Sequence, residues 1–307
     1  MKYIAQSTAV WDTISLPDTQ NVVEAPGGAG FYALVGMKIW EDDVGLITGV
    51  GEDYLSHFQE WYRNNAITTQ GMFPRDLHSP KTAIHYTKNG ERTEKALHGR
   101  NHYQKMSVTP EEIEPFCKNA AGMYIFKNTD SAYWEKMLFL KEKYKFKLLW
   151  EITLNAACLK QLAAVKKLAE QVDIFSINIA EAKSLFAANT TEDVLRLFRE
   201  WKQPLIYLRL GSRGVYLIQD GNTVHVPSVP GIHVTDATGG GNSSSGGALV
   251  GFCRGGSLEE IGAMGNVSAS FCIEQWGVPG RINCSLREKA EQRKRAILAL
   301  LEGNVRE

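Results

Sequence analysis

Little in this 307-residue chain points to a specialised environment. Cysteine is scarce: Cys117, Cys158, Cys253, Cys272 and Cys284 are odd in number and widely spaced, and none forms a CxxC pair. That pattern excludes a disulfide framework and a zinc knuckle. Excess charge of either sign is lacking too, since 34 basic side chains balance 34 acidic ones. No long Lys/Arg run supplies the footprint of a nucleic-acid binder. The run EKAEQRKR at 288–295 is mixed in sign and reads as the solvated face of a terminal helix. No apolar run approaches the ~18 residues that cross a bilayer, and MKYIAQSTAVWDTI carries no signal-peptide apolar stretch. The expectation is a cytoplasmic protein with neither nucleic acid nor membrane as partner. Repeats and low-complexity segments are missing as well. What is present is a core-forming composition, 44% hydrophobic against 22% charged, in a length that suits one large α/β domain over 1–307 with a small appendage.

Short apolar runs recur with helical stretches between them: YIAQSTAV (3–10), VGLITGV (44–50), GMYIFK (122–127), FKLLWEI (146–152), VDIFSI (172–177) and PLIYLRL (204–210). This alternation predicts a mostly parallel sheet with helices on both faces, a three-layer α/β/α architecture. Helices are expected at 29–41, 53–65, 131–144, 158–170, 178–187, 191–201, 242–254, 257–275 and 285–302. Residues 12–25 and 67–97 break the rhythm and read as inserted strands, with Asn89-Gly90 as a hairpin turn. Strands inserted early in a parallel chain form a small sheet over the crevice at the strand ends, a lid. Tyr54, Trp61 and Tyr62 fall near helical spacing and read as core. His98 and His102 are four apart, but Gly99 and Asn101 make the segment a loop and argue against a metal pair.

The chemistry concentrates in DATGGGNSSSGG, Asp236 to Gly247. Three glycines let the backbone turn sharply and present N–H groups, and the following helix N-terminus adds partial positive charge. Such a turn is an anion site. It lacks the Lys-Ser/Thr ending of a Walker loop and the early first-strand placement of a dinucleotide fingerprint, which disfavours a dehydrogenase.

Asp236-Ala237-Thr238-Gly239-Gly240-Gly241-Asn242 resembles the late D-T-x-G-A-G-D signature of the PfkB/ribokinase-like carbohydrate kinases. Gly27-Gly28-Ala29-Gly30, Gly49-Val50-Gly51-Glu52-Asp53, Asn178-x-x-Glu181 and Leu210-Gly211-Ser212-Arg213-Gly214-Val215 resemble further landmarks of that family in the same order. The resemblance spans about residues 3–280 and implies a ribokinase-like fold and ATP-dependent phosphoryl transfer to a hydroxyl of a sugar or sugar-like molecule. By it, Asp12, Gly27, Gly28 and Tyr32 would meet the substrate, and Asn178, Arg209, Gly211, Ser212, Gly214 and Gly241 the nucleotide. Gly239, Gly240 and Gly241 would form the anion hole. Glu181 would hold Mg²⁺ through water, as one carboxylate suffices for a largely hydrated ion; alternatively, Asn178 and Glu181 form a helix-capping box. Asp236 and Thr238 match positions that hold a monovalent cation such as K⁺ in many relatives. Pairing of lid strands between subunits, with TAIHYTK (82–88) as the candidate, would give a homodimer. His85 and Arg92 are further lid candidates for substrate contact.

Two positions depart from the family. Tyr32 stands where an asparagine commonly binds sugar, which argues against a plain pentose or hexose. Asn242 stands where a carboxylate takes the substrate's proton; an amide cannot do so, and loss of a general base costs roughly 10²–10⁴-fold. Three readings therefore stay open: an active kinase, a pseudo-kinase that binds a nucleotide or metabolite, and a different reaction on the same scaffold.

Overall fold

The computed structural model describes residues 1–16, 22–87, 92–201 and 204–304. The strands are β1 Tyr3–Gln6, β2 Val10–Ser15, β3 Val22–Gly27, β4 Val44–Gly51, β5 Met72–Asp76, β6 Lys81–Tyr86, β7 Arg92–Ala96, β8 Gly122–Lys127, β9 Lys147–Ile152, β10 Ile174–Asn178, β11 Leu205–Arg209, β12 Val215–Gln219 and β13 Asn222–Val226. The helices are α1 Ala29–Lys38, α2 Glu52–Asn64, α3 Arg100–Lys105, α4 Pro110–Cys117, α5 Ser131–Tyr144, α6 Leu162–Ala169, α7 Ile179–Phe186, α8 Thr191–Arg199, α9 Gly240–Cys253, α10 Leu258–Ile273 and α11 Cys284–Asn304. Nine strands form one sheet in the order β13-β12-β11-β10-β9-β8-β1-β4-β5. It is parallel except for the β11-β12-β13 meander at one edge.

Apolar residues alternate between the two faces of this sheet. Tyr3, Tyr124, Leu149 and Tyr207 belong to a core shared with α1, α9 and α10. Ile4, Ile125, Trp150 and Leu208 belong to a second core under α4 to α8. Strands covered on both sides must be apolar on both, which is why the runs read as continuous. Tyr54 and Tyr62 are buried core residues whose hydroxyls meet at 3.1 Å, and Trp61 packs edge-on against Phe31. Helices α1 and α9 cross almost backbone to backbone: a Cβ on Gly36 would lie 2.0 Å from the Ser243 carbonyl oxygen, and one on Gly246 2.2 Å from that of Ala33. Among the described residues no helix is long and apolar enough to cross a membrane.

The second sheet, in the order β3-β2-β6-β7, is the expected lid. Its boundaries differ from expectation at both ends. The run YIAQSTAV divides: Tyr3–Gln6 stays in the main sheet, and the chain enters the lid by Val10. Residues 72–76 of the stretch 67–97 leave the lid and pair in parallel with β4. A parallel neighbour needs a crossover of about a dozen residues, and α2 supplies it, so β4-α2-β5 is an ordinary βαβ unit. The Asn89-Gly90 turn lies outside the described residues, while β6 and β7 pair antiparallel on either side of it. Strand β6 is hydrogen-bonded on both edges, to β2 and β7. The TAIHYTK strand therefore has no edge for a second subunit; β3 and β7 are the lid's edges. His102 lies on α3 and not in a loop, its Nε2 2.7 Å from the carbonyl oxygen of His78. Among the described residues no group of three ligands could hold a metal ion.

Candidate active site

Period-two alternation decides which polar side chains reach the site. On the α9 face of the sheet, Phe126, Glu151, Ser176 and Tyr207 are in register across β8, β9, β10 and β11. Arg209 lies two residues beyond Tyr207 on the same face. Ser176 meets Ser245 at 2.9 Å, and the Tyr207 hydroxyl meets Ser244 at 2.7 Å. Ser244 and Ser245 thus satisfy sheet hydroxyls under the first turns of α9.

Above this face two cavities flank the glycine turn. The first, about 360 Å³, is lined by Asp12, Gly28, Tyr32, Thr82, Ile84, Glu94, Tyr103, Thr238, Gly239 and Asn242, among others. Asp12, 4% exposed on β2, accepts a 3.4 Å hydrogen bond from Tyr32. Gly27 does not line the cavity; it backs Asp12, whose Oδ2 lies 1.8 Å from where a Cβ would stand. Burial, and then the charge of Asp12, raise the Tyr32 phenol well above its ordinary range, so it is a neutral donor. Its ring lies against Gly239, where a Cβ would meet it at 2.0 Å. Gly239 also has φ 74°, in the left-handed region that favours glycine.

The second cavity, about 380 Å³, is mainly apolar and contains Val215, Val229, Ile232 and Ile273 beside Arg209, Gly211, Ser212, Gly214, Gly240 and Gly241. Gly211 and Gly214 both have positive φ in the tight turn between β11 and β12. The turn Gly239 to Asn242 is the wall between the two cavities, with Gly240 and Gly241 opening α9. Asn178 and Glu181 line neither cavity. They form a reciprocal capping box, with Asn178 Oδ1 accepting from the Glu181 N–H at 2.9 Å and Glu181 Oε2 accepting from the Asn178 N–H at 3.0 Å. Asp236 is buried and accepts hydrogen bonds from the Thr238 N–H, at 2.7 Å, and from the hydroxyl of Tyr86 in the lid.

A polar chain runs beneath the wall. Asn242 Nδ2 donates to Glu151 Oε1 at 2.8 Å and to the Tyr124 hydroxyl at 3.1 Å. Arg209 Nη2 lies 3.0 Å from Glu151 Oε1 and 3.8 Å from Glu181 Oε2. Burial raises the Glu181 carboxyl despite the opposing charge of Arg209. Burial also disfavours the charge on Arg209, but Glu151 and Glu181 outweigh it, and its pKa is raised. A Cβ on Gly241 would meet Arg209 Nη1 at 2.1 Å, so the guanidinium lies directly against the glycine turn.

Glu151, 2% exposed, was not among the residues expected at the site. Its signal was legible: a lone acid near the end of the apolar run FKLLWEI, a place where burial is costly unless the charge is paired. Thr82, Ile84 and Glu94 from the lid and Tyr103 from α3 carried no such signal. His85, one residue from Ile84, is exposed and lines neither cavity. The side chain of Arg92 lies outside the described residues.

The profile of the pfkB family carbohydrate kinases matches residues 5–280. A cytidine kinase of Thermococcus kodakarensis is 27% identical over 277 residues, covering 87% of this chain and 94% of its own. Aminoimidazole riboside kinase from Salmonella enterica, solved with aminoimidazole riboside and an ATP analogue, superposes with a TM-score of 0.75 at 18% identity, covering 96% of this chain and 100% of that one. A candidate ribokinase II from E. coli, in complex with ATP and Mg²⁺, gives 0.76 at 16% identity, covering 95% and 99%.

Proposed function

The chain belongs to the pfkB family of carbohydrate kinases, and from that premise we propose that it transfers the γ-phosphoryl group of ATP to a hydroxyl of a sugar-like small molecule. The observation that carries this reading is the shared wall: a polar cavity holding Asp12 and an apolar cavity bordered by Gly211 and Gly214 meet at Gly239 to Asn242. In-line phosphoryl transfer needs this placement, because little covalent chemistry falls to the protein beyond positioning and charge stabilisation. Asp12 orients acceptor hydroxyls. The backbone N–H groups of Gly239, Gly240 and Gly241, with the Arg209 guanidinium against them, hold the transferred group. The apolar cavity takes the nucleotide base and ribose. Of the acids beside Arg209, Glu181 would hold a hydrated Mg²⁺ through water, and the ion would supply charge neutralisation of the phosphates.

Because Tyr32 fills space between Asp12 and Gly239, the acceptor is a polyhydroxylated molecule other than a plain pentose or hexose, a nucleoside being the class that the named relatives suggest. We assign K⁺ to the Asp236 and Thr238 loop, with activity higher in KCl than in a salt of a large organic cation. We place the protein in the cytosol, where its five free cysteines stay reduced, as a dimer joined through β3 or β7. Purified protein with Mg-ATP and a panel of nucleosides, sugars and polyols is expected to release ADP with one acceptor class above the acceptor-free rate. A panel-wide blank would overturn the kinase reading. The commitment of Asn242's amide to Glu151 and Tyr124 favours a second reading, a binding protein with slow turnover. A nucleotide-dependent thermal shift without ADP release would select it.

A further inference from the structure

The amide of Asn242 can be seated in two ways, and its neighbours choose between them. Both of its N–H groups are spent inward, on Glu151 Oε1 and the Tyr124 hydroxyl. The flipped amide would set Oδ1 against a carboxylate and leave two donors without acceptors, so the network fixes the orientation. Oδ1 then has no protein partner among the described residues, and Asn242 lines the cavity that holds Asp12. Phe126, the registered neighbour of Glu151 on β8, lines the same cavity.

We propose that Glu151 is a positioning residue that turns Asn242 into a hydroxyl acceptor, its carboxylate holding the amide so that Oδ1 faces the substrate. This rests on the kinase reading above and deepens it. The acceptor hydroxyl donates to Oδ1, which aims its oxygen at the γ-phosphorus. The new P–O bond forms as the bond to the ADP oxygen breaks, and the hydroxyl proton goes to a non-bridging oxygen of the transferred phosphoryl group. A loose transition state asks little of a base. The negative charge that relatives carry at the start of α9 is here carried one layer deeper, on β9, where Arg209 neutralises it.

The consequence runs against simple restoration of the family pattern. Asn242→Asp would place a second carboxylate about 2.8 Å from Glu151, and two carboxylates so close cannot both ionise. The groups facing Glu151 are Tyr124 from β8, Tyr207 and Arg209 from β11, Glu181 beyond Arg209, and position 242 of α9. One guanidinium already serves two carboxylates there and cannot balance a third. In Asn242→Asp with Glu151→Gln, the amide and the acid exchange places and one hydrogen bond survives.

The test compares wild type, E151Q, N242D and the double variant by melting temperature at pH 5 and pH 8, and by kcat and KM for the acceptor that the panel identifies. We expect N242D to lose at least about 5 °C at pH 8 and to regain most of it at pH 5, with the double variant near wild type at both. E151Q, which frees the amide to flip, should raise acceptor KM up to about tenfold, the weight of one hydrogen bond. N242D should turn over more slowly than wild type, and the double variant faster than N242D. A pH-independent melting temperature for N242D, or turnover at or above wild type, overturns the assignment of Glu151 and leaves the kinase reading standing. Absence of turnover in every protein, with the pH crossover intact, sinks the kinase reading and sustains the fixed amide.

Discussion

Arg209 is the cation on which the polar chain depends, and Arg209→Met removes the guanidinium and its charge while keeping an unbranched apolar stem. The guanidinium is 11% exposed and lies between Glu151 and Glu181. Breaking a buried pair from one side leaves charge without compensation and costs about 3–5 kcal/mol. An unfolding entropy of about 2.1 cal/mol/K per residue gives about 0.64 kcal/mol/K for this chain, so the melting temperature should fall by about 5–8 °C. The pH dependence follows from Glu181. Its carboxyl is already raised by burial, with Arg209 as the largest opposing influence, and losing Arg209 raises it further. A carboxyl raised in the folded state holds a proton that the unfolded chain releases, so stability falls as pH climbs from the unfolded value through the folded one. The deficit of the variant should therefore be larger at pH 8 than at pH 5, read by differential scanning calorimetry at both. A melting temperature within 2 °C of wild type at both pH values would refute the claim that Arg209 compensates these acids.

Three further outcomes are expected. Gly239→Ala forces a residue with a Cβ into a φ of 74° and against the Tyr32 ring; the strain costs about 1–2 kcal/mol, and displacement of the turn that we propose holds the transferred group should lower kcat by roughly 10²–10³-fold. Asp12→Asn should raise acceptor KM about ten- to hundredfold by removing charge-assisted hydrogen bonds, while calorimetric nucleotide affinity stays unchanged. Tyr86→Phe cuts the lid's hydrogen bond to Asp236 and should raise acceptor KM about three- to tenfold with little change in melting temperature.

The sequence by itself determined the layers of this protein. Apolar runs such as GMYIFK, which is β8 over Gly122–Lys127, form strands because a doubly covered sheet demands side chains buried on both faces. The glycine turn was legible because few residues other than glycine tolerate the φ of Gly239 or the approach of Tyr32. The capping box at Asn178 and Glu181 was legible because its partners are three residues apart. What the tertiary structure decided were contacts between residues distant in the chain. Strand β5 left the lid because α2 supplied a crossover, and TAIHYTK lost its free edge to β2 and β7. Asn242 and Glu151 are 91 residues apart, and Arg209 reaches Glu151 from a third segment. Local pattern marks a charge placed in a buried strand, but only the register of β9 against β8 and β10, and the seating of α9 above them, fixes what that charge holds.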